Sequence, residues 1–452
     1  MAPVGESNTL SARRAQFAGP PGLKGLIHNG KTTLIACFAA LGGFVYGYNQ
    51  GRFNEPRIHA RHMLMLLAHR NVRSDSHHER IPIACESIPL QWRPSGMCLT
   101  FRQLDPWYSN VGGTARGLLT AILELGAWIG TLANGYLADA VGRRVTVMIA
   151  CVIFTIGVIV QACTVTGASG NKDFILAGRF VTGIGVGAFS MLVPLYNAEL
   201  APPETRGALV ALQQLAITFG IMISYCKFRT NSNVTVADQH PLGIGYGTNY
   251  IGGVGEGQSE AAWLIPICIQ LGPSTILAAG MIMFMPQSPR HLMNRGREEE
   301  CLETLARLRS TTTDDIKVRI EFLEIKAVRE FEVMTAREKY PQYQDGSLKS
   351  NFMIGVNDYA SLVTNKSMLR RTMVAVFTMV FQQWCAVNAI LYYAPFIFEG
   401  VGLDGNTTSL LASGVVGIVM FLATIPAVLY VDNFGRKTIL IAGGIGMAVC
   451  HL

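Results

Sequence analysis

Three amide side chains stand close together in an otherwise apolar stretch near the carboxyl-terminal end of the sequence. Gln382 and Gln383 are adjacent, and Asn388 follows five or six residues later. An amide both donates and accepts hydrogen bonds, so amides inside a membrane segment suit a neutral ligand that carries several hydroxyl groups. Their separation of about one and a half turns prevents all three from sharing one narrow face of a straight helix. Pro395 follows, and a helix bent or broken at that end would turn both amide groups towards one cavity.

Two tyrosines and two charged residues extend this set of candidates. Tyr392 and Tyr393 follow the amides, at a place where an outer lid could close. Arg179 and Glu124 lie inside other apolar segments, where charge is expensive and seldom present without a use. A structural interpretation stays open for all of them, because polar side chains in membranes also hydrogen-bond neighbouring helices and Arg179 could serve only in a structural pair with an acid.

The overall composition places these residues in a membrane protein. Half of the 452 residues are hydrophobic and 15% are charged, a balance that a water-soluble protein of this size would have difficulty hiding. The net charge of +7 is explained by Lys and Arg in cytoplasmic loops, so we expect no nucleic-acid partner. The ten Cys are scattered without a CxxC spacing, and we expect neither a metal nor a cofactor.

Apolar runs near the length of a bilayer crossing recur along the whole chain, and they predict an all-α membrane protein whose main partner is the lipid bilayer. Eight spans and a short ninth segment are predicted, at 32–48, 118–138, 145–162, 175–196, 209–226, 262–285, 373–398, 410–431 and 439–452.

Charge divides the chain into four regions. Residues 1–31 form a tail, 32–286 a transmembrane half of six helices, 287–371 a charged linker and 372–452 a partial second transmembrane half. Within the linker, 297–309 and 314–340 have helical spacing and mixed charge. Arg143, Arg144 and Arg206 follow the second and fourth spans, and with the basic linker they place that side, and the amino terminus, in the cytoplasm.

An internal repeat supports two related halves. Asp139-x-x-Gly142-Arg143-Arg144 follows the second span, and Asp432-x-x-Gly435-Arg436-Lys437 follows the eighth. Glycine permits a tight reversal, the Asp can cap a helix end, and the basic pair can bridge to acids at neighbouring helix ends. Four spans separate the first copy from the linker, whereas only 438–452 follow the second, so the second half is expected to be incomplete.

Two segments fit this plan badly. Residues 52–116 should form a short external loop but are rich in Arg and His, and 227–244 interrupts the approach to the sixth span with polar residues of no periodicity. We interpret both, with the abrupt end, as products of gene-model errors such as retained introns. Spliced transcripts that contain both segments in full would contradict this interpretation. The histidines of the first segment have no fixed spacing, so a metal site is not expected there.

Five motifs occur in order along the chain: GYLADAVGRR at 135–144, GRFVTGIGVG at 178–187, PLYNAE with PETRG at 194–207, PQSPR at 286–290, and QQWCAVNAILYY at 382–393. Together they resemble the major facilitator superfamily, sugar-porter family, and most of the chain outside the two odd segments and the extreme amino terminus shares the resemblance. The sequence departs from the family pattern at Ala140, Gln287 and Cys385-Ala386, and in detail it is similar to the fungal hexose-transporter branch. The glycines at 183–187 lie inside a span, so they indicate close helix packing rather than a dinucleotide loop.

The resemblance implies transport of a monosaccharide, such as a hexose, by alternating access at the plasma membrane, rather than enzymatic activity. Gln214, Gln382, Gln383 and Asn388 match sugar-contacting positions of the family, and the Tyr392–Tyr393 pair matches its external gate.

Energy coupling is expected to follow from one substitution. Proton symporters of the family have a titrating Asp in the first helix near the Arg of the fourth, and Asn49 occupies that position here. Facilitated diffusion is therefore the first interpretation. Proton symport through another acid, such as Glu124, stays open.

A set of charges is expected to act as the cytoplasmic gate, pairing when the transporter faces outward and separating when it faces inward. Two other classes remain open: a sugar sensor that does not transport, and an inactive fragment, because the family's tenth and eleventh helices supply part of the sugar site. The gate residues are Asp139, Arg143, Arg144, Glu199, Glu204, Arg206, Asp432 and Arg436.

Overall fold

The computed structural model describes residues 22–52, 113–163, 172–225, 261–340, 348–385 and 406–451. Within these ranges all regular secondary structure is helical, which confirms the all-α prediction. The helices are α1 (Gly22–His28), α2 (Gly30–Ala39), α3 (Leu41–Arg52), α4 (Gly113–Val141), α5 (Arg143–Ala162), α6 (Lys172–Leu200), α7 (Arg206–Tyr225), α8 (Ala261–Ile269), α9 (Leu271–Met283), α10 (Pro289–Asn294), α11 (Glu298–Arg309), α12 (Ile316–Lys339), α13 (Leu348–Thr364), α14 (Lys366–Trp384), α15 (Asn406–Phe434) and α16 (Arg436–His451).

Six segments of the described chain are long and apolar enough to cross a membrane, and they match six of the eight predicted spans. The second predicted span corresponds to α4, a helix of 29 residues. The seventh corresponds to α14, which begins at Lys366, before the expected boundary between linker and membrane half. The six segments are Gly30–Gln50, Arg143–Ala162, Phe174–Leu200, Arg206–Ser224, Leu264–Met283 and Val415–Phe434.

Two predicted spans are broken in the structure. The first is divided at Ala40, between α2 and α3, and the sixth at Gln270, between α8 and α9. The second break has a local cause, because Pro273 lacks an N–H group and its ring clashes with the carbonyl four residues earlier. That carbonyl belongs to Ile269, the last residue of α8. Apolar periodicity did not reveal either break.

The main hydrophobic core is built around α6. Phe154 of α5 and Phe189 of α6 meet with ring centroids 6.0 Å apart, and Tyr196 and Leu277 are fully buried beside them. The long helix α6 packs along both α4 and α5, while α7 packs along α3 and α15. The linker helices α10, α11 and α12 dock at one end of this bundle, which we call the linker end.

Glycine lets α4 and α6 approach backbone to backbone. A Cβ atom on Gly187 would lie 2.0 Å from the carbonyl oxygen of Ala127, and one on Gly183 would lie 2.3 Å from that of Leu123. Gly185 faces the other way, towards Phe154 of α5. The expectation that these glycines serve close helix packing is confirmed.

The Gly187 contact predicts the effect of adding one methyl group. Gly187→Ala should destabilise the protein by about 1–3 kcal/mol, because backbone atoms cannot move aside as a flexible side chain can. Thermal unfolding in detergent, followed by tryptophan fluorescence, measures the change. Gly443→Ala in α16 is the matched control, since nothing lies within 4 Å of that Cβ position and alanine favours helix. Equal midpoints for the two variants would contradict the close approach of α4 and α6.

Candidate functional site

The repeated motif forms the same turn in both copies. Helix α4 ends at Val141, Gly142 has a φ angle of 103°, and α5 begins at Arg143. In the second copy α15 ends at Phe434, Gly435 has a φ angle of 78°, and α16 follows. Positive φ favours glycine over residues with a Cβ atom. The motif therefore encodes a helix–glycine–helix turn.

The first copy carries a network that is built on one buried ion pair. Arg143 Nε donates to Glu199 Oε1 at 3.0 Å, and Arg143 Nη2 lies 2.8 Å from Asp139 Oδ1. Arg143 Nη1 donates to the carbonyl oxygen of Ala138 at 3.2 Å, and the Ser288 hydroxyl donates to Glu199 Oε2. The side chains of Arg143 and Glu199 are only 9% and 5% exposed. We call Asp139, Arg143, Glu199 and Ser288 the latch.

Local structure positions each latch residue. Asp139 and Arg143 are four residues apart across the turn, and Glu199 is the penultimate residue of α6. Ser288 is the N-cap of α10, with Pro289 at the first helical position, and its side chain accepts from the N–H of His291. The latch therefore joins the ends of α4, α5, α6 and α10. A Ser-Pro pair is a recognisable helix start, but its second bond to Glu199 was not predicted.

Arg144 has a different role from its neighbour. Its Nε donates to the Met281 carbonyl at 2.5 Å and its Nη2 to the Ile282 carbonyl at 2.7 Å. These are among the last carbonyls of α9, which have no partner within the helix, and a cation there is favoured by the helix dipole. Arg144 thus caps α9 instead of pairing with an acid.

The linker is hydrogen-bonded directly to the ends of the membrane helices. Arg309 donates two hydrogen bonds to the carboxylate of Glu321, at 2.6 and 3.0 Å, and its Nη1 donates to the Leu200 carbonyl at 3.2 Å. The Thr32 hydroxyl donates to the Leu308 carbonyl at 3.0 Å. Helices α11 and α12 are thereby tied to α6 and α2.

The second copy docks α15 on α7. Asp432 Oδ2 accepts from the Ala208 N–H at 2.8 Å, in the first turn of α7, where the helix dipole favours an anion. Arg206 is partly buried beside this contact, and Arg436 is exposed. The charges that act on Arg206 include Arg436 and Glu321. Glu204 is half-buried at the same end and interacts with other groups there.

The amides expected to bind a ligand are only partly within the described residues. Gln214 is exposed on α7, whereas its neighbour Gln213 is buried and directs its amide towards the carbonyls of Phe189 and Ser190. Gln382 and Gln383 are exposed at the end of α14, and Gln383 interacts with another group. Asn388, Tyr392 and Tyr393 lie outside the described residues.

Two of the three coupling candidates are buried: Asn49 on α3 is 2% exposed and Arg179 on α6 is 1% exposed. The third, Glu124 on α4, is exposed, and its charge attracts that of Arg179. Sequence reasoning missed Gln270, which is 1% exposed at the break between α8 and α9. Both of its amide atoms lack a hydrogen-bond partner among the described residues. A glutamine three residues before Pro273 in an apolar run is the signal that could have revealed it.

Comparison with known families identifies the family of the chain. The profile of the family described as Sugar (and other) transporter matches residues 35–452. The chain belongs to this family. It is a multi-pass membrane protein, and the resemblance drawn from the motifs is confirmed.

Individual relatives of this sugar-transporter family member add detail. The chain is 31% identical over 341 residues to the high-affinity glucose transporter of Kluyveromyces lactis, covering 75% of this chain and 53% of that protein. It is 28% identical over 425 residues to the high glucose sensor RGT2 of Saccharomyces cerevisiae, covering 94% and 45%. The chain thus spans about half the length of these relatives.

A solved structure confirms the fold of the family member. The structure of the major facilitator superfamily proton:xylose symporter XylE matches with a TM-score of 0.63 at 23% identity, covering 90% of this chain and 71% of that one. At this identity the match establishes the major facilitator fold.

A histidine sits against the latch. His291 of α10 is 8% exposed, and a Cβ atom on Gly142 would lie 2.8 Å from its Nε2. Burial lowers the pKa of His291 first, and the positive charges of Arg143 and Arg295 lower it further, while Asp139 acts in the opposite direction. The imidazole is therefore neutral in the closed network at neutral pH.

The lowered pKa of His291 predicts a pH effect on stability. Between the folded pKa and the unfolded value of about 6.5, the unfolded chain binds more protons, so stability falls as the pH drops through that window. His291→Gln should reduce the loss of thermal stability between about pH 7.5 and pH 5.5. His28→Gln, at an exposed histidine of α1, is the matched control and should leave the loss unchanged. An identical pH dependence in the wild type and His291→Gln would rule out this role.

Proposed function

We propose that this chain transports a monosaccharide, such as a hexose, across the membrane by alternating access. The latch is the observation that supports this most strongly. Its ion pairs and hydrogen bonds join four helix ends and hold one end of the bundle closed, and they must separate for that end to open. The Kluyveromyces lactis relative is a glucose transporter, which agrees with this proposal.

The proposed substrate contacts are Gln214, Gln382, Gln383 and Asn388, with Tyr392 and Tyr393 as the external gate. Exposed amides on α7 and α14 support this assignment, because each can donate to and accept from sugar hydroxyls. The remaining gate charges are proposed to pair and separate in the same steps as the latch does. They are Glu204, Arg206, Asp432 and Arg436.

The proposed location is the plasma membrane, with the amino terminus and linker in the cytoplasm. Arg143, Arg144 and Arg309 all lie at the linker end, which agrees with the excess of positive charge on the cytoplasmic side of membrane proteins. Within this proposal the protein moves its substrate unchanged and is not an enzyme.

Facilitated diffusion is the proposed mode of transport. Asn49 is buried and its amide does not titrate, so it cannot carry a proton as a carboxyl group could. Glu124 beside Arg179 is the alternative carrier for proton symport. Hexose uptake measured together with a pH-sensitive dye separates the two: proton entry that follows sugar entry, and that is lost in Glu124→Gln, would establish symport.

The latch predicts a specific kinetic phenotype. Glu199→Gln removes the counter-charge of Arg143, so the balance between the two facing states should shift and maximal uptake should change by about tenfold, or about 1.4 kcal/mol. The apparent affinity should change by less than about twofold, because no latch residue is a proposed sugar contact. Glu303→Gln, at an exposed acid of α11, is the matched control. Unchanged turnover in Glu199→Gln would refute the gating role.

The two adjacent glutamines of α7 give a second prediction. Gln214→Ala should raise the apparent KM by about three- to tenfold, as expected for one or two lost hydrogen bonds of about 1 kcal/mol. Gln213→Ala should instead lower the thermal stability and leave KM unchanged, because Gln213 is directed at carbonyls of α6. The reverse pattern would move the binding face of α7 to Gln213.

The test of the proposed function is uptake of radiolabelled hexose in cells stripped of their own transporters. Two chains are compared, this chain and the same chain extended by four further spans. Uptake by either supports transport, and uptake by the extended chain alone shows that the sugar site needs the added helices.

A sensor is the second candidate function, because the glucose sensor relative matches 94% of this chain. Glucose binding to the extended chain without uptake, in the same cells, would favour it over transport.

A further inference from the structure

Helix α12 in the linker is apolar on two opposite faces. One face contributes Val318, Phe322 and Ile325 to a small core with α10 and α11. The opposite face carries six small or apolar side chains, all exposed, spaced three or four residues apart along the helix. We call this set the outer stripe; it consists of Ile316, Ile320, Leu323, Ala327, Phe331 and Met334.

The outer stripe is exposed to an unusual degree for such residues. Leu323, Phe331 and Met334 are 60%, 70% and 62% exposed. The described helices that pack extensively on α12 are α10 and α11, and both lie on its other face. A contiguous exposed apolar stripe marks a surface that another molecule covers.

The charges beside the stripe favour a protein over a lipid surface. Helices that lie on membranes are rich in Lys and Arg on their polar face, because the cytoplasmic leaflet is anionic. Helix α12 instead carries both signs in nearly equal number, and its inner face holds it against α10 and α11, so the stripe points away from the docked linker. The cations are Lys317, Arg319, Lys326, Arg329, Arg337 and Lys339, and the acids are Glu321, Glu324, Glu330, Glu332 and Glu338.

The stripe matches an inverted copy of itself. When two α12 helices lie antiparallel and are centred on position 325, Ile316 faces Met334 and Leu323 faces the small Ala327, so large side chains meet small or flexible ones at these positions, as in well-packed helix pairs. Ile320 lies one residue, about 1.5 Å along the axis, from the position opposite Phe331.

The charges on one flank agree with the same alignment. Arg319 and Glu330 are eleven residues apart, about three turns, so they lie on the same side of the stripe. In the inverted pair each Arg319 lies one residue, about 1.5 Å along the axis, from the position opposite Glu330 of the other helix, and both long side chains can span this offset. The contact occurs twice. Both side chains are exposed and accessible for it.

We propose that the outer stripe of α12 docks a second copy of this chain, through an antiparallel two-fold pair of linker helices. The same patch on both copies forms the contact, as in most symmetric dimers. A helix of 24 residues is about 36 Å long, so the contact is smaller than a standard stable interface and the dimer is weak and reversible.

The two-fold pairing has one unfavourable contact, and this contact distinguishes a symmetric pair from a complex with a different partner. Glu324 lies on the flank opposite Arg319, close to the centre, so the pairing brings it near its own symmetry mate. Like charges at this distance weaken the association. Glu324→Gln should therefore strengthen it by about two- to threefold. A partner of another kind would not respond in this way.

The test uses the full chain in liposomes, with donor- and acceptor-labelled copies and energy transfer measured against protein density. The wild type should associate reversibly. Phe331→Glu should weaken association at least about tenfold, because it places a charge in the apolar contact. Val333→Glu makes the same change two residues away, off the stripe at a side chain that is 40% exposed, and should have little effect. Circular dichroism checks that each variant is folded.

Exchanging the charges of Arg319 and Glu330 tests the alignment of the two α12 helices. Arg319→Glu and Glu330→Arg should each weaken association, and the double variant should restore it. Arg319 also pairs with Asp314 of its own chain at 2.7 Å, but that exposed pair contributes little and is lost equally in the double variant. The proposal is overturned if the wild type does not associate, or if neither single variant changes the association.

A quencher in the bilayer tests whether lipid covers the stripe instead. If Phe331→Glu reduces the contact with lipid while energy transfer is unchanged, the proposal is also overturned.

Discussion

The ion pair between Arg143 and Glu199 is the interaction on which the linker end of the bundle depends. Removing two charges from water costs several kcal/mol for each ion, and their attraction offsets this only when the remaining hydrogen-bonding groups are also satisfied. Asp139, the Ala138 carbonyl and the Ser288 hydroxyl supply those bonds. Because each partner comes from a helix end, the pair forms only when these ends meet. It is therefore both a constraint on assembly and a natural point of separation.

Two kinds of polar chemistry occupy different levels of the molecule. The linker end uses charge, which gives long-range attraction and a large difference between the joined and the separated states. The interior and the exposed face of α7 use neutral amides at Asn49, Gln213, Gln214 and Gln270, which suit a ligand without charge. A bundle with buried charges at one end and amides within it can change state at that end without breaking hydrogen bonds of the amides.

The sequence predicted those features that depend on local pattern. The linker segments 297–309 and 314–340 closely match α11 and α12, and both repeat glycines have the positive φ that a tight reversal requires. The break at Gln270 was missed because averaged hydropathy hides a proline whose effect falls four residues earlier. The two partners of Arg144 are carbonyls of α9, more than a hundred residues away, and no spacing in the sequence reveals them. The difference between Gln213 and Gln214 depends on which face of α7 meets α6.

The glycine contacts between α4 and α6 also determine how a local event is felt at a distance. Two helices that touch backbone to backbone at Gly183 and Gly187 cannot slide or roll against each other without collision. With 29 residues each, they form a stiff arm about 44 Å long. In the proposed transport cycle, a small displacement at Arg143 and Glu199 would therefore be carried as a tilt to the opposite end of the two helices. The glycines thus determine how a movement at one end of the bundle is transmitted to the other.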